Sequence, residues 1–225
     1  IKMFPCSPMT TRPRTICFIL SALVFFSCAV FRDSPPQRVV RVKVLADRAM
    51  RQRNSHWEKE ARGLVEAASD YYEREFDIRF ITQGVVPWPL QERIPSTADL
   101  LVRIKREFPV GRKPTDHDLI IAFTGESVSR YIAAGRPRVD KIGNCRDGLS
   151  SYAVVPVRAI FRYGGPSGEI TYDTVALIHE LGHVFGAEHV SDTQSIMNEQ
   201  FDYRTEFDMK NRNVILQNRN CGFAK

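Results

Sequence analysis

Three histidines, a glutamate and a glycine fall within one run of the chain, His179-Glu180-Leu181-Gly182-His183-Val184-Phe185-Gly186-Ala187-Glu188-His189. On a helix, His179 and His183 stand one turn apart on the same face, so both imidazoles reach one cation. Gly186 adopts the left-handed conformation that stops a helix and turns the chain, letting His189 approach the same ion from a new direction. Three neutral nitrogen ligands leave a fourth position for water, the arrangement of a catalytic zinc site, so one Zn2+ is the expected cofactor. Zinc held by uncharged imidazoles keeps its double charge and lowers the pKa of bound water from 15.7 towards about 7. Glu180, beside His179 but rotated away on the helix, is placed to take the water's proton and pass it to a leaving amine. The five fixed positions of this run arise by chance with a probability on the order of 10⁻⁵ in such a chain.

Eight residues beyond His189 comes Met197, in Ser195-Ile196-Met197-Asn198. With it the run resembles the metzincin clan of zinc metallopeptidases. The resemblance implies that His179, His183 and His189 are zinc ligands and Glu180 the general base. It implies too that Met197 lies in a turn beneath the metal, its thioether packed under the imidazoles. The fold so implied is α+β. It has a mixed twisted β-sheet with an antiparallel edge strand, two long helices including the zinc helix, and a small C-terminal subdomain ending in a helix. A protein or peptide substrate lies extended along the edge strand by strand addition, and Ser151 to Val157 is the matching segment.

The layout DLIIAFTGES, a loop with Cys145, the zinc helix and a late Cys221 is similar to adamalysin or reprolysin-like domains, which often bridge those two regions. A matrixin-like placement is the alternative. Val190 is a departure, standing where adamalysins usually place Asp, matrixins Ser or Thr, astacins Glu and serralysins Pro. Glu199 occupies the place of the metal-approaching Tyr of astacins and serralysins, so no tyrosine switch is expected. Only His56 and His117 remain as spare imidazoles, too few for a second zinc. No calcium loop is evident, and Asp202 and Asp208 read as solvated surface acids.

The elements that must position these residues follow from periodicity. Arg38 to Leu45 reads as a Val-rich strand. Ser55 and Glu58 form a capping box before a helix whose stripe is Trp57, Ala61, Leu64, Val65, Ala68, Tyr72 and Phe76. Ile78 to Gln83 reads as a strand, Ser96 to about Phe108 as a helix, and Asp118 to Phe123 as a buried central strand. A polar loop spans Gly135 to Gly148. Ser151 to Ala159 reads as a strand that Pro156 assigns to an edge, and a Gly-rich turn at Gly164 to Gly168 leads into the zinc helix.

With 43% hydrophobic and 26% charged residues, the 225-residue chain is an ordinary globular composition able to bury one core. Three of its six net positive charges, on Lys2, Arg12 and Arg14, precede an apolar run, so nucleic acid is not an expected partner. That run, Ile16 to Phe31, has the layout of a secretory signal with small residues at Ser27 and Ala29. Residues 1–29 are therefore assigned as a signal peptide, with a retained membrane anchor or a lipoprotein signal on Cys28 as alternatives. Residues 30–37 form a linker and 38–225 a single metallopeptidase-like domain. The expected setting is secreted or in the cell envelope, with a membrane involved only if the N-terminal segment is retained, and the protein is expected to be a monomer. Removal of the signal leaves Cys145 and Cys221 as the one cysteine pair in an oxidising compartment. A bridge between them would stabilise the fold by about 4 kcal/mol; two unpaired thiols are the alternative. The sequence thus points to an exported zinc-dependent endopeptidase. A zinc-binding module that binds or inhibits proteins without turnover is the alternative, and the presence of Glu180 favours catalysis over it.

Overall fold

The computed structural model describes residues 37–89, 94, 96–110, 116–125, 138–157, 171–200, 204 and 206–224. The signal and anchor assignments, the turn at Gly164 to Gly168 and Asp202 lie outside them. In chain order the elements are β1 (Arg38–Ala46), α1 (Arg48–Arg53), α2 (Trp57–Phe76), β2 (Ile78–Pro87) and α3 (Thr97–Glu107). They continue with β3 (Leu119–Thr124), β4 (Tyr152–Pro156), α4 (Tyr172–Val184) and α5 (Met209–Asn218). The strands form one sheet in the order β2-β1-β3-β4. Among the described residues no helix is long and apolar enough to cross a membrane.

Alternation along the strands decides which helix covers which face. Leu119, Ile121 and Phe123 of β3 join Val40, Val42 and Val44 of β1 in a cluster with Leu64, Val65, Tyr72 and Phe76 of α2 and Leu177, Ile178 and Leu181 of α4. Ile120 and Ala122 point the other way, to Leu100, Leu101 and Ile104 of α3 and to Trp88. Both faces of the sheet are therefore covered, which is the environment that continuous apolar parallel strands require.

All four strands run parallel. The expectation of a mixed sheet with Ser151 to Val157 as its antiparallel edge is corrected here. β4 does lie at the end of the sheet, as Pro156 required, but it pairs parallel with β3, Ile120 facing Tyr152 and Ala122 facing Val154. Proline reports a missing donor and carries no information on direction. Antiparallel pairing on β4 is confined, among the described residues, to an isolated bridge between Val139 and Ala153. There Val154 N–H donates to Arg138 O (2.8 Å) and Asp140 N–H to Tyr152 O (3.3 Å), so part of the expected polar loop lies along the outer side of β4.

Three local readings also change. The capping box at Ser55 does not form: α2 starts at Trp57 behind His56, which makes no side-chain cap. Instead Asn54 accepts from His56 N–H (2.9 Å) and donates to Glu60 (2.7 Å), a local competitor for the same helix end. β2 continues to Pro87, past a register shift at Val42/Lys43 that leaves Gln83 unpaired. The short helix α1 was not anticipated. It is capped by the buried Asp47, which accepts from Met50 N–H (2.7 Å) and Gly125 N–H (3.0 Å).

Candidate metal centre

α4 begins at the cap of Thr171, whose hydroxyl accepts from Thr174 N–H (3.2 Å), and buries every residue from Thr174 to Val184. Tyr72 of α2 ties it to the core by donating from its hydroxyl to Ile178 O (2.9 Å). The helix ends where the motif places its glycine. Gly186 has φ +100°, its N–H donates to His183 O (3.1 Å), and Ala187 N–H donates to Gly182 O (2.9 Å). These two bonds make a Schellman motif with a left-handed glycine. They also aim Ala187 O at the ring of His183 and send the chain back to His189.

The three imidazoles converge. Their Nε2 atoms lie 3.1 Å (His179 to His189), 3.2 Å (His179 to His183) and 3.1 Å (His183 to His189) apart. The outer nitrogens face oxygen. His179 Nδ1 lies 2.6 Å from Ile196 O and His183 Nδ1 2.7 Å from Ala187 O. A carbonyl only accepts, so each of these Nδ1 atoms carries the proton and the Nε2 of each neutral ring is a bare lone pair. Lone pairs crowded this closely repel one another unless a cation lies between them. An ion bound at the usual zinc–imidazole length of about 2.0–2.1 Å would subtend roughly 100° between such nitrogens, near tetrahedral. The donor set therefore fits zinc. Burial drives both helix imidazoles towards the neutral, ligating form: His179 titrates well below its ordinary range, and His183 is pushed down to about 4. The side chain of His189 is more open, with Glu199 Oε1 3.8 Å from its Nδ1.

Glu180 is 2% exposed. One carboxylate oxygen accepts from the N–H of Arg138 (2.9 Å), and the other lies 3.6 Å from the Arg138 guanidinium. Burial pushes its pKa up to about 7, against the pull of that guanidinium and N–H. A carboxyl that ionises near neutrality in a buried site is suited to proton exchange.

A model of metallo-peptidase family M12 (Reprolysin_5) matches residues 36–217. The chain belongs to metallo-peptidase family M12. The reprolysin-type metzincin likeness read from the motif is thereby borne out. Comparison with curated proteins gives no match. Among solved structures, the chain is similar to the crystal structure of archaemetzincin from Methanopyrus kandleri. That likeness covers 80% of this chain and 94% of the other at 16% identity, with a TM-score of 0.49.

In this M12 metallopeptidase, Met197 is fully buried. A Cβ placed on Gly182 would meet its sulfur at 2.9 Å and the Phe207 ring at 3.0 Å, so glycine in the last turn of the helix lets the Ser195 to Asn198 turn close against α4. The turn is pinned to the third histidine by Val190 N–H donating to Met197 O (3.1 Å). Cys145 and Cys221 are joined in a disulfide, 76 residues apart. His117 is buried beside Asp116, and neither it nor His56 belongs to the cluster that gathers His179, His183 and His189. Sequence reasoning missed Arg138, which lies 42 residues before Glu180 in a segment without a motif. It also missed the role of Asp208, read as a solvated acid. Asp208 caps α5 through Asn211 N–H (3.0 Å) and accepts from the Ser195 hydroxyl (2.8 Å).

Proposed function

We propose that this M12 metallopeptidase is an exported zinc endopeptidase that hydrolyses internal peptide bonds of an extended protein or peptide segment, with Glu180 as general base. The observation that carries the reading is the convergence of three imidazole nitrogens within 3.2 Å of one another, two from a helix that also presents a buried glutamate and one from the turn beyond it. When bound, a zinc ion supplies an acidified water and polarises a carbonyl. The chain's own residues do the rest. His179, His183 and His189 hold the ion as neutral ligands, and Ile196 O and Ala187 O fix the rings of the first two. Glu180 accepts the proton of the attacking water and returns it to the departing amine, while Arg138 fixes the direction of its carboxylate.

For the substrate we favour the strip formed by Arg138 to Asp140. In antiparallel alternation the residue between two bonded positions turns its own N–H and C=O outward, so Val139 offers these groups on the side away from β4. The apolar run Ile16 to Phe31 and the Cys145–Cys221 disulfide support a setting outside the cytosol.

The test is metal analysis of the purified chain together with digestion of a mixed peptide library, with and without a chelator. About one zinc per chain, and cleavage at internal bonds that stops on chelation and returns with zinc, is the expected result. Cleavage indifferent to the chelator, or trimming confined to chain ends, would overturn the reading.

A further inference from the structure

His179 and His183 ride on one rigid helix, but His189 stands five residues beyond its end, so something else must fix the turn that delivers it. α5 does so through the backbone of that turn. Asn211, 1% exposed, accepts from Glu188 N–H through Oδ1 (2.9 Å) and donates to Glu188 O through Nδ2 (2.9 Å). One buried amide thus takes both backbone groups of the residue directly before His189. The amide is itself held, Nδ2 donating to Asp208 Oδ2 (2.8 Å). That oxygen also accepts from the Ser195 hydroxyl, and Ser195 Oγ accepts from Met197 N–H (3.1 Å).

Two helical turns further along the same face, Asn218 Nδ2 donates to Phe185 O (2.9 Å), at the other end of the turn. Between the two asparagines, Val214 packs over Gly186, where an added Cβ would meet its Cγ1 at 3.2 Å. The fully buried Ile215 anchors the helix in the core. Downstream of His189, Val190 N–H donates to Met197 O (3.1 Å) and Val190 O accepts from Asn198 Nδ2 (3.2 Å), and that turn is reached through Asp208 as well.

We propose that α5 is a clamp on the third ligand, and that Asn211 and Asn218 are positioning residues whose grip on Phe185 to Glu188 sets the affinity of the site for its metal. This rests on the reading of His179, His183 and His189 as ligands. Two of those ligands are preorganised by α4; the third gains its place only while the turn is gripped at both ends. Loss of the grip lets His189 wander, and the site pays in metal affinity rather than in chemistry. Changes to groups that orient ligands typically weaken metal binding about 10- to 100-fold.

The experiment uses the full chain, stripped of metal. Zinc affinity is measured by competition with a chromophoric chelator, the visible spectrum is recorded for the cobalt(II) form, and the melting temperature of the metal-free protein is followed. Asn211→Leu keeps the side-chain volume and removes both bonds; Asn218→Ala opens the other end. Ile215→Val loosens the packing of the same helix without touching the turn. The expected result is zinc binding weaker by about 10- to 100-fold in Asn211→Leu and at least severalfold in Asn218→Ala, with an altered cobalt spectrum. Ile215→Val is expected to melt lower yet bind zinc as the wild type does. Wild-type zinc affinity and cobalt spectrum in Asn211→Leu overturn the clamp, whatever its melting temperature. So does a loss in Ile215→Val equal to that in Asn211→Leu. If Asn211→Leu does not fold, Asn218→Ala decides by the same two measures. A wild-type chain that binds no zinc overturns the ligand reading and the clamp with it, which separates the two failures.

Discussion

At the scale of single residues, the proposed chemistry turns on Glu180. It is buried, yet its partner is a cation and an N–H from one residue, so its carboxylate is directed without being given up to a second acid. Glu180→Gln is nearly isosteric and cannot take a proton. It should keep about one zinc per chain while kcat falls by roughly 10²- to 10⁴-fold, as measured by metal analysis and steady-state cleavage of a peptide. Arg138→Ala keeps the backbone N–H that Glu180 accepts from and removes the guanidinium 3.6 Å from its other oxygen; it should lower kcat by about tenfold with zinc content unchanged, and a rise in KM alone would count against that role. The imidazoles give a pH signature in the metal-free protein. His183 titrates at about 4 in the fold against an ordinary value of about 6.5, so between these values the unfolded chain takes up a proton that the folded one refuses. Stability should therefore fall as pH drops from 6.5 to 4. Thermal melts across that range, compared with His183→Ala, check it by the loss of part of the slope.

At the scale of elements, the motif's spacing made α4, its glycine stop and the convergence of three histidines legible, because i, i+4 geometry and left-handed glycine are local properties. Arg138 and Asn211 were not legible. Their partners stand 42 and 23 residues away in the chain, and no local pattern marks a tertiary hydrogen bond. The short α1 escaped for a different reason: six residues with only Met50 buried carry no periodicity, and Asp47 was the one available sign. The Ser55 capping box matched its pattern and still lost to Asn54, since several side chains compete for a helix start. The glycine stop is testable. In Gly186→Ala the new Cβ meets Asn218 Nδ2 and Gly143 O, each at 2.5 Å, on a backbone with φ +100°. Strain and clash together should cost about 2 kcal/mol or more, read as a lower midpoint in urea.

At the scale of the molecule, the sheet divides the labour. One face packs α3 and Trp88, and the other packs α2 and α4, so the metal-bearing helix is held by a core that spans the whole sheet. Central, apolar β3 announced itself in the sequence, and Pro156 placed β4 at the sheet's end. Strand direction was hidden, because it is set by connections and neighbours rather than by residue type. The N- and C-terminal parts are tied as well: Glu75 at the end of α2 pairs with Arg212 of α5 (2.9 Å), and the disulfide joins the loop before β4 to the chain beyond α5. With folding and the metal site linked in this way, zinc should stabilise the whole chain. At a free concentration about 100 times the dissociation constant the gain is about 2.7 kcal/mol. For a chain of this size that corresponds to a rise in melting temperature of about 5–10 °C, seen by calorimetry with zinc and lost with chelator.

The backbone of Ala187 serves two purposes, since its N–H closes the end of α4 on Gly182 while its oxygen sets the ring of His183. Adding or deleting a single residue between the second and third histidines would therefore break a helix terminus and a tautomer lock in one stroke. That spacing has no slack, whereas length changes in surface loops away from this corner meet no such double penalty.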